Sequence, residues 1–397
     1  MHEDGGEWRI ESTRAAWEVL DSFRDACAEV GIPKVDDFNR GDNLGSSYFH
    51  LNQKSGFRWN TSKAFLRPAK NRPNLRIATH AQATRLLFED GRACGINFDL
   101  KGQPARAFVN GELILASGAI GSPQLMQLSG IGPSGLLREH DIEVLHEMPE
   151  VGMNLADHLQ LRCIYRVEGT KTLNEVAGTL WGKAMIGLEY AFKRTGPMAA
   201  APSQLGAFAK SDETVATPNL QYHVQPLSLD KFGDPLHDFP AITASVCDLR
   251  PESRGEVVIT SPDPKAAPAI RPNFLSTPRD RQVAADAIRL TRRIMDAPAM
   301  QRYRPEEYLP GSKIDSQEAL EQAAGDIGTT IFHPVSTCRM GVDPGAVVDS
   351  RLRVNGIQGL RVVDASVMPA IVSGNTASPT LMIAEKGAAM ILEDARA

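Results

Sequence analysis

The chain has 397 residues, which is long for one domain and suits two lobes. Hydrophobic residues make up 42% and charged residues 23%, enough apolar content for a sizeable core, and a formal charge of −5 argues against nucleic acid or an anionic membrane surface as main partner. Five widely spaced cysteines (Cys27, Cys94, Cys163, Cys247, Cys338) contain no C-x-x-C, so a disulfide framework or structural zinc is not expected, and a reducing, cytoplasmic setting fits best.

The first residues are polar and acidic, without the basic and apolar regions of a signal peptide. No apolar run approaches a membrane span, although peripheral membrane association stays open. In RAAWEVLDSFRDACAEVG (14–31), Ala16, Leu20, Phe23 and Cys27 repeat at three to four residues, and Gly31 and Pro33 follow. This predicts an amphipathic helix with a glycine stop. TSKAFLRPA predicts a short helix stopped by Pro68. Residues 74–116 alternate in short runs broken by Asp90-Gly91, Lys101-Gly102 and Asn110-Gly111, which predicts an antiparallel meander ending in the strand ELILAS.

ELILASGAIGSPQ then reads strand, glycine turn, helix, with Ala116, Ser117, Gly118, Ala119 and Gly121 small enough for a planar group to approach the backbone. Next comes GIGPSG (130–135), a literal G-x-G-x-x-G and the only one in the chain. A dinucleotide loop needs a buried strand before it and a long helix after it. Here a helical run precedes, about two turns follow, and Pro133 removes an amide. GIGPSG therefore reads as a turn between helices. From about 156 to 330, a helix near 280–296 and the strands in NLQYHVQPL, AITASVCDL and GEVVIT predict a lobe with an antiparallel sheet. Turns at Asn355-Gly356 and Gln358-Gly359 lead into LRVVDAS, and SGNTASPT opens a final helix, TLMIAEKGAAMIL. His333, held extended by Pro334, and Asn375, beside a helix start, stand out as groups just outside regular elements.

SGAIGSPQLMQLSGIGP, VGMNLADH (151–158), HPVSTCRMG, VVDSRLRVNGIQGLRVVDASVMP and SGNTASPT resemble, in order and spacing, motifs of the glucose–methanol–choline (GMC) flavin oxidoreductases, most nearly the choline-dehydrogenase-like alcohol dehydrogenases. The resemblance covers almost the whole chain. It implies an α/β (α+β) fold: an incomplete Rossmann-like FAD-binding domain with a β-meander, plus a substrate lobe built on an antiparallel sheet with helices. The expected division is 1–155 for the partial FAD-binding domain, 156–330 for the substrate-binding domain, and 331–397 for the return to the first. The implied cofactor is FAD. The implied reaction is oxidation of a primary alcohol, choline-like or otherwise small or aliphatic, to the aldehyde, with oxygen, a quinone or a cytochrome as electron acceptor. His333 matches the catalytic His and Asn375 the family's His/Asn position. Asp364, Ala365 and Thr376 match flavin-side segments, Ala83 matches a backbone contact to adenine, and Ser117 and Gly118 the adenine-side wall.

The family's own G-x-G-x-x-G would lie about 150 residues before the point, near GEWRI, at which this chain joins the pattern. The expectation is therefore a truncated chain that binds FAD weakly alone and leaves apolar surface exposed. Two alternatives remain: a non-catalytic fragment, and a lyase of the same family. His158 reads as a structural hydrogen-bonder, Trp59 as core or cofactor packing, and Cys338 as a bystander to His333, while His223 and His237 carry no signal. Tyr48, Phe49 and Trp181 are the aromatic candidates for caging a choline ammonium.

Overall fold

The computed structural model describes residues 5–231 and 233–396, which fall into two compact units. One unit comprises residues 1–77, 159–248 and 281–329, and the other 78–158, 249–280 and 330–397. Two of these crossings lie within three residues of the expected divisions at 155/156 and 330/331. The chain makes three further crossings, at 77/78, 248/249 and 280/281.

The first unit is built on an antiparallel sheet. Six of its strands run in the spatial order Glu306–Leu309, Leu159–Arg166, Ala241–Asp248, Leu220–Gln225, Leu205–Ala209, Gly45–Tyr48. The register aligns Arg162 with Ser245, Ser245 with His223, His223 with Gly206, and Gly206 with Ser47, so one sheet face carries a row of buried polar and small residues. Alternation along each strand sends Cys163, Ala244, Tyr222 and Val224 to the opposite, apolar face. The helix Glu18–Glu29 buries Val19, Leu20, Phe23, Ala26 and Cys27, one stripe at helical spacing, and Gly31 beyond it has a φ of +92°. Trp17 is extended, so the helix begins four residues after the start of the expected segment.

In the second unit, Ala81–Glu89, Arg92–Leu100 and Gln103–Phe108 form the expected meander. Both two-residue turns have positive φ at both positions, 47° and 75° at Asp90-Gly91 and 53° and 86° at Lys101-Gly102, the combination that matches the right-handed twist of a hairpin. The third turn differs. ELILAS does not join the meander, because its strand Leu113–Leu115 pairs in parallel with Leu360–Val362. The junction is sealed by Leu113 N–H donating to Gly359 O and Val363 N–H donating to Leu115 O, both at 2.8 Å. Beneath it, the guanidinium of Arg361, 1% exposed, donates to both oxygens of Glu112 and to Asp394. Charge-assisted pairing of this kind offsets part of the cost of burying the cation, and removing a partner would leave that charge uncompensated.

The helix Gly118–Leu128 follows that strand, and its buried Gln127 is fully used. Its amide donates to Val151 O and Val257 O, and its oxygen accepts from Ile259 N–H. Gly152 passes this point with φ +87°, and a side chain there would collide with the Val257 carbonyl and the Gln127 amide. Gly91 has φ +75° and open space around it. Replacing either by Ala imposes roughly 1–2 kcal/mol of left-handed strain. Gly152→Ala adds the collision. In urea unfolding we expect Gly91→Ala to cost about 1 kcal/mol and Gly152→Ala more than about 3 kcal/mol; equal losses would show that the contact around Gly152 relaxes freely.

Candidate active site

VGMNLADH and the FHPVSTCRMG stretch run antiparallel in the second unit. Ala156 pairs with Val335, and Ile331 N–H donates to His158 O at 3.1 Å. Asp157 sits between them, 7% exposed. Its Oδ1 accepts from the backbone N–H of both His158 and His333, each at 2.9 Å, and its Oδ2 accepts from the Thr330 hydroxyl. Phe332, one residue before His333, is held in the left-handed region at φ +65°, and its N–H donates to Thr330 Oγ1 at 2.9 Å. A bulky residue pays for that conformation only where its neighbours are over-determined; the Asp157 bonds supply the constraint.

These bonds bring two imidazoles edge to face. The ring centroids of His158 and His333 are 5.3 Å apart with planes at 87°, and the two Nδ1 atoms are 3.1 Å apart. His158 is fully buried, and its Nε2 lies 3.2 Å from Leu249 O. Burial first, and the neighbouring His333 second, push the His158 pKa down to about 3, although the Leu249 carbonyl works the other way. Burial alone brings His333 down to about 4. Burial also raises Asp157, against the three hydrogen bonds that favour its carboxylate. At neutral pH both rings are therefore uncharged.

The fold brings His333 and Asn375 together, which their separation in sequence left open: the Asn375 amide Nδ2 is 3.2 Å from His333 Nε2. Asn375 is exposed and lies two residues before the 18-residue helix Ala377–Asp394, with Thr376 at the N-cap. A lone pair, an amide and the positive end of a helix dipole thus meet at one place. Asp364 and Ala365 lie nearby in sequence on the strand-to-turn exit after Val362. The buried Asp364 carboxylate accepts from Gly118 N–H at 2.9 Å, Ser122 Oγ at 2.6 Å, Ser366 N–H at 2.8 Å and Ser366 Oγ at 2.5 Å. This clamps the Ser117–Gly118 turn to the Asp364–Ser366 turn. Gly118 has φ +78°, and a Cβ there would meet no atom, so the backbone is open to a ligand. Ala83 sits at a register shift in the first meander strand, where the ladder to the second strand is interrupted.

Asp157 carries no signal of its own in the sequence, and His158, which reads there as a structural hydrogen-bonder, bonds His333. Their adjacency in NLADH was the available signal. The Cys338 sulfur faces Met126 Sδ at 3.9 Å, and burial raises its thiol far above the ordinary range. In the first unit, Trp59 Nε1 donates to Glu7 O, His223 stacks on Phe49, and His237 bonds Ser228 and Asp230. Tyr48 donates to Asp21, and Trp181 is exposed on the helix Leu180–Lys193. GIGPSG is engaged by the protein itself. Gly130 O accepts from Leu145 and His146, Gly132 O accepts from Met148, and Glu147 takes up the Ser134 N–H that opens the six-residue helix Ser134–Glu139. Ile131–Gly132 is moreover a short strand, paired with His146–Glu147, where a plain turn was expected.

The N-terminal family model of the GMC oxidoreductases matches residues 9–160 and the C-terminal model matches residues 251–384. The alcohol dehydrogenase [acceptor] of Pseudomonas putida is 39% identical over 394 residues, covering 98% of this chain and 71% of that protein. The chain belongs to the GMC oxidoreductase family. An oxygen-dependent choline dehydrogenase of Escherichia coli is 40% identical over 377 residues, covering 94% of this chain and 67% of the relative. Among solved structures, pyridoxine 4-oxidase from Mesorbium loti superposes with a TM-score of 0.86 at 28% identity, covering 98% of this chain and 72% of that one. A formate oxidase from Aspergillus oryzae, studied for its FAD modification, superposes with a TM-score of 0.90 at 25% identity, covering 98% and 73%. This GMC chain is thus an oxidoreductase with FAD as its cofactor, and its relatives support FAD-dependent alcohol oxidation at the level of the family. The residues present fit FAD at two places: the imidazole–amide pair at a helix start suits the reacting ring, and the open backbone at Gly118 suits a planar or sugar group.

Asp157→Ala strips three donors, two of them backbone N–H groups beside buried rings, of their acceptor. We expect a loss of about 3 kcal/mol or more in urea unfolding, against about 1 kcal/mol for Thr330→Val. Equal small losses would mean that water replaces the carboxylate.

Proposed function

We propose that this site oxidises a primary alcohol, choline-like or otherwise small and aliphatic, to the aldehyde. The observation that carries the reading is the 3.2 Å approach of the Asn375 amide to His333 Nε2 at the start of a long helix. In this reading the substrate hydroxyl enters between the two groups. His333 Nε2 takes the hydroxyl proton, while Asn375 donates to the oxygen and aims the C–H bond. FAD, when bound, supplies the hydride acceptor. Ala83, Ser117, Gly118, Asp364, Ala365 and Thr376 would hold it, Gly118 by open backbone and Asp364 by fixing the turn around it. Burial serves the base: a neutral imidazole keeps its lone pair unprotonated at every pH above its own pKa. As hydride leaves the carbon, the hydroxyl becomes acidic enough for so weak a base. Oxygen, a quinone or a cytochrome would serve as the final electron acceptor.

The test is to load the purified chain with FAD and follow dye-coupled oxidation of choline and of short primary alcohols. Turnover that falls roughly 10²- to 10⁴-fold in His333→Ala, and less in Asn375→Ala, supports the reading; bound flavin with no turnover on any alcohol overturns it.

The base must be deprotonated, so activity is present above the folded-state pKa and is lost as pH falls through it. We expect kcat/KM to hold level through pH 6.5, the ordinary histidine value, and to drop only near pH 4. A limb centred at 6.5 would show that His333 is solvated in the working enzyme.

A further inference from the structure

We propose that His158 is a positioning residue that sets the tautomer of His333, through a one-directional hydrogen-bond chain from the Leu249 carbonyl to the Asn375 amide. The inference rests on the reading of His333 as the base, and adds which nitrogen of that base carries its proton and why.

The chain starts from a group with only one role. Leu249 O can only accept, so His158 Nε2, 3.2 Å away, must carry a hydrogen. His158 is fully buried, with no carboxylate on either ring nitrogen to balance a charge, so it is neutral and holds one proton. Its Nδ1 is therefore a lone pair. That lone pair faces His333 Nδ1 at 3.1 Å, and two lone pairs at that distance would repel, so His333 Nδ1 carries a hydrogen and donates it. His333 Nε2 is then the unprotonated nitrogen, and it accepts from Asn375 Nδ2 at 3.2 Å. Every link is satisfied in this direction. The reverse direction fails at Leu249, where a lone pair would face a carbonyl oxygen.

The geometry holding the chain is independent of the rings. Asp157 fixes both backbones by N–H bonds of equal length, and the pairing of Ala156 with Val335 sets their register. His158 touches neither the Asn375 side of His333 nor the place proposed for the substrate. It acts by making the base's lone pair point there. When His333 gains the hydroxyl proton on Nε2, only the bond from the Asn375 amide to that nitrogen gives way; Nδ1–H still donates to His158, and no proton needs to leave His158. Two positive rings at this separation are excluded, so the pair stores one proton at most.

The experiment reads the tautomer directly. The full chain is labelled with ¹⁵N-histidine and studied at neutral pH without flavin or substrate, with His333 assigned by its loss in His333→Gln. We expect His333 to show Nδ1–H with an unprotonated Nε2, and a scalar coupling across the Nδ1–H···Nδ1 bond to His158. In His158→Phe, which removes the acceptor, His333 should shift toward Nε2–H. In FAD-loaded protein the same variant should lose at least about tenfold in kcat with KM nearly unchanged. His158→Asn, whose amide oxygen can stand where Nδ1 stood, should restore both. A wild-type His333 protonated on Nε2 overturns the proposal, and so does a His158→Phe variant that keeps tautomer and kcat. If His158→Phe does not fold, the wild-type spectrum still decides. Because the spectrum is read without turnover, it can succeed where alcohol oxidation fails, or fail where it succeeds.

Discussion

The buried carboxylate of Asp157 is the point on which the site depends. It accepts from the backbone of the residue that follows it and from the backbone of a residue 176 positions later, at the same distance. A carboxylate held by three donors tolerates little displacement, since each bond lost leaves a buried polar group unpaired. The left-handed Phe332 and the edge-to-face rings are held by where this one group sits. Asp364 plays a matching part, joining the turn after one parallel strand to the turn after its partner. Each acid ties segments distant in sequence, and each is almost inaccessible to water.

Much of this was legible in the sequence, for physical reasons that can be named. Asp90-Gly91 and Lys101-Gly102 announced their turns because few residue pairs adopt positive φ twice in succession. The helix Glu18–Glu29 declared itself by its buried stripe. The nearness of His333 and Asn375 could be asked about, since both sit just outside regular elements, but sequence alone could not bring them within bonding distance. GIGPSG lacks the context of a dinucleotide loop, and its backbone is engaged by Leu145, His146, Met148 and Glu147.

The illegible parts share one cause. ELILAS was extended onto the meander because local alternation does not reveal which strand a chain will pair with, and its partner lies some 245 residues downstream. The same blindness hid Asp157 and His158. An adjacent Asp-His pair gives no hint that its hydrogen-bond partners come from a distant segment, nor that the second ring beside it will be another histidine. Side-chain roles that depend on a facing strand become visible only when the facing strand is in place.

That dependence has a consequence for how the molecule is made. The strand Leu113–Leu115 meets Leu360–Val362, and Gly118 meets Asp364, only after a loop of roughly 245 residues has closed. Closure entropy grows slowly with loop length, so the finished pairing is not heavily penalised; its timing is what suffers. During synthesis the meander and the first parallel strand emerge long before their partners, with Leu113 and Leu115 unpacked for as long as the ribosome takes to add the intervening residues. This unit is therefore a late folder, its nascent form is the one most in need of chaperone protection, and a stop codon anywhere before Leu360 removes the pairing and the reacting groups together.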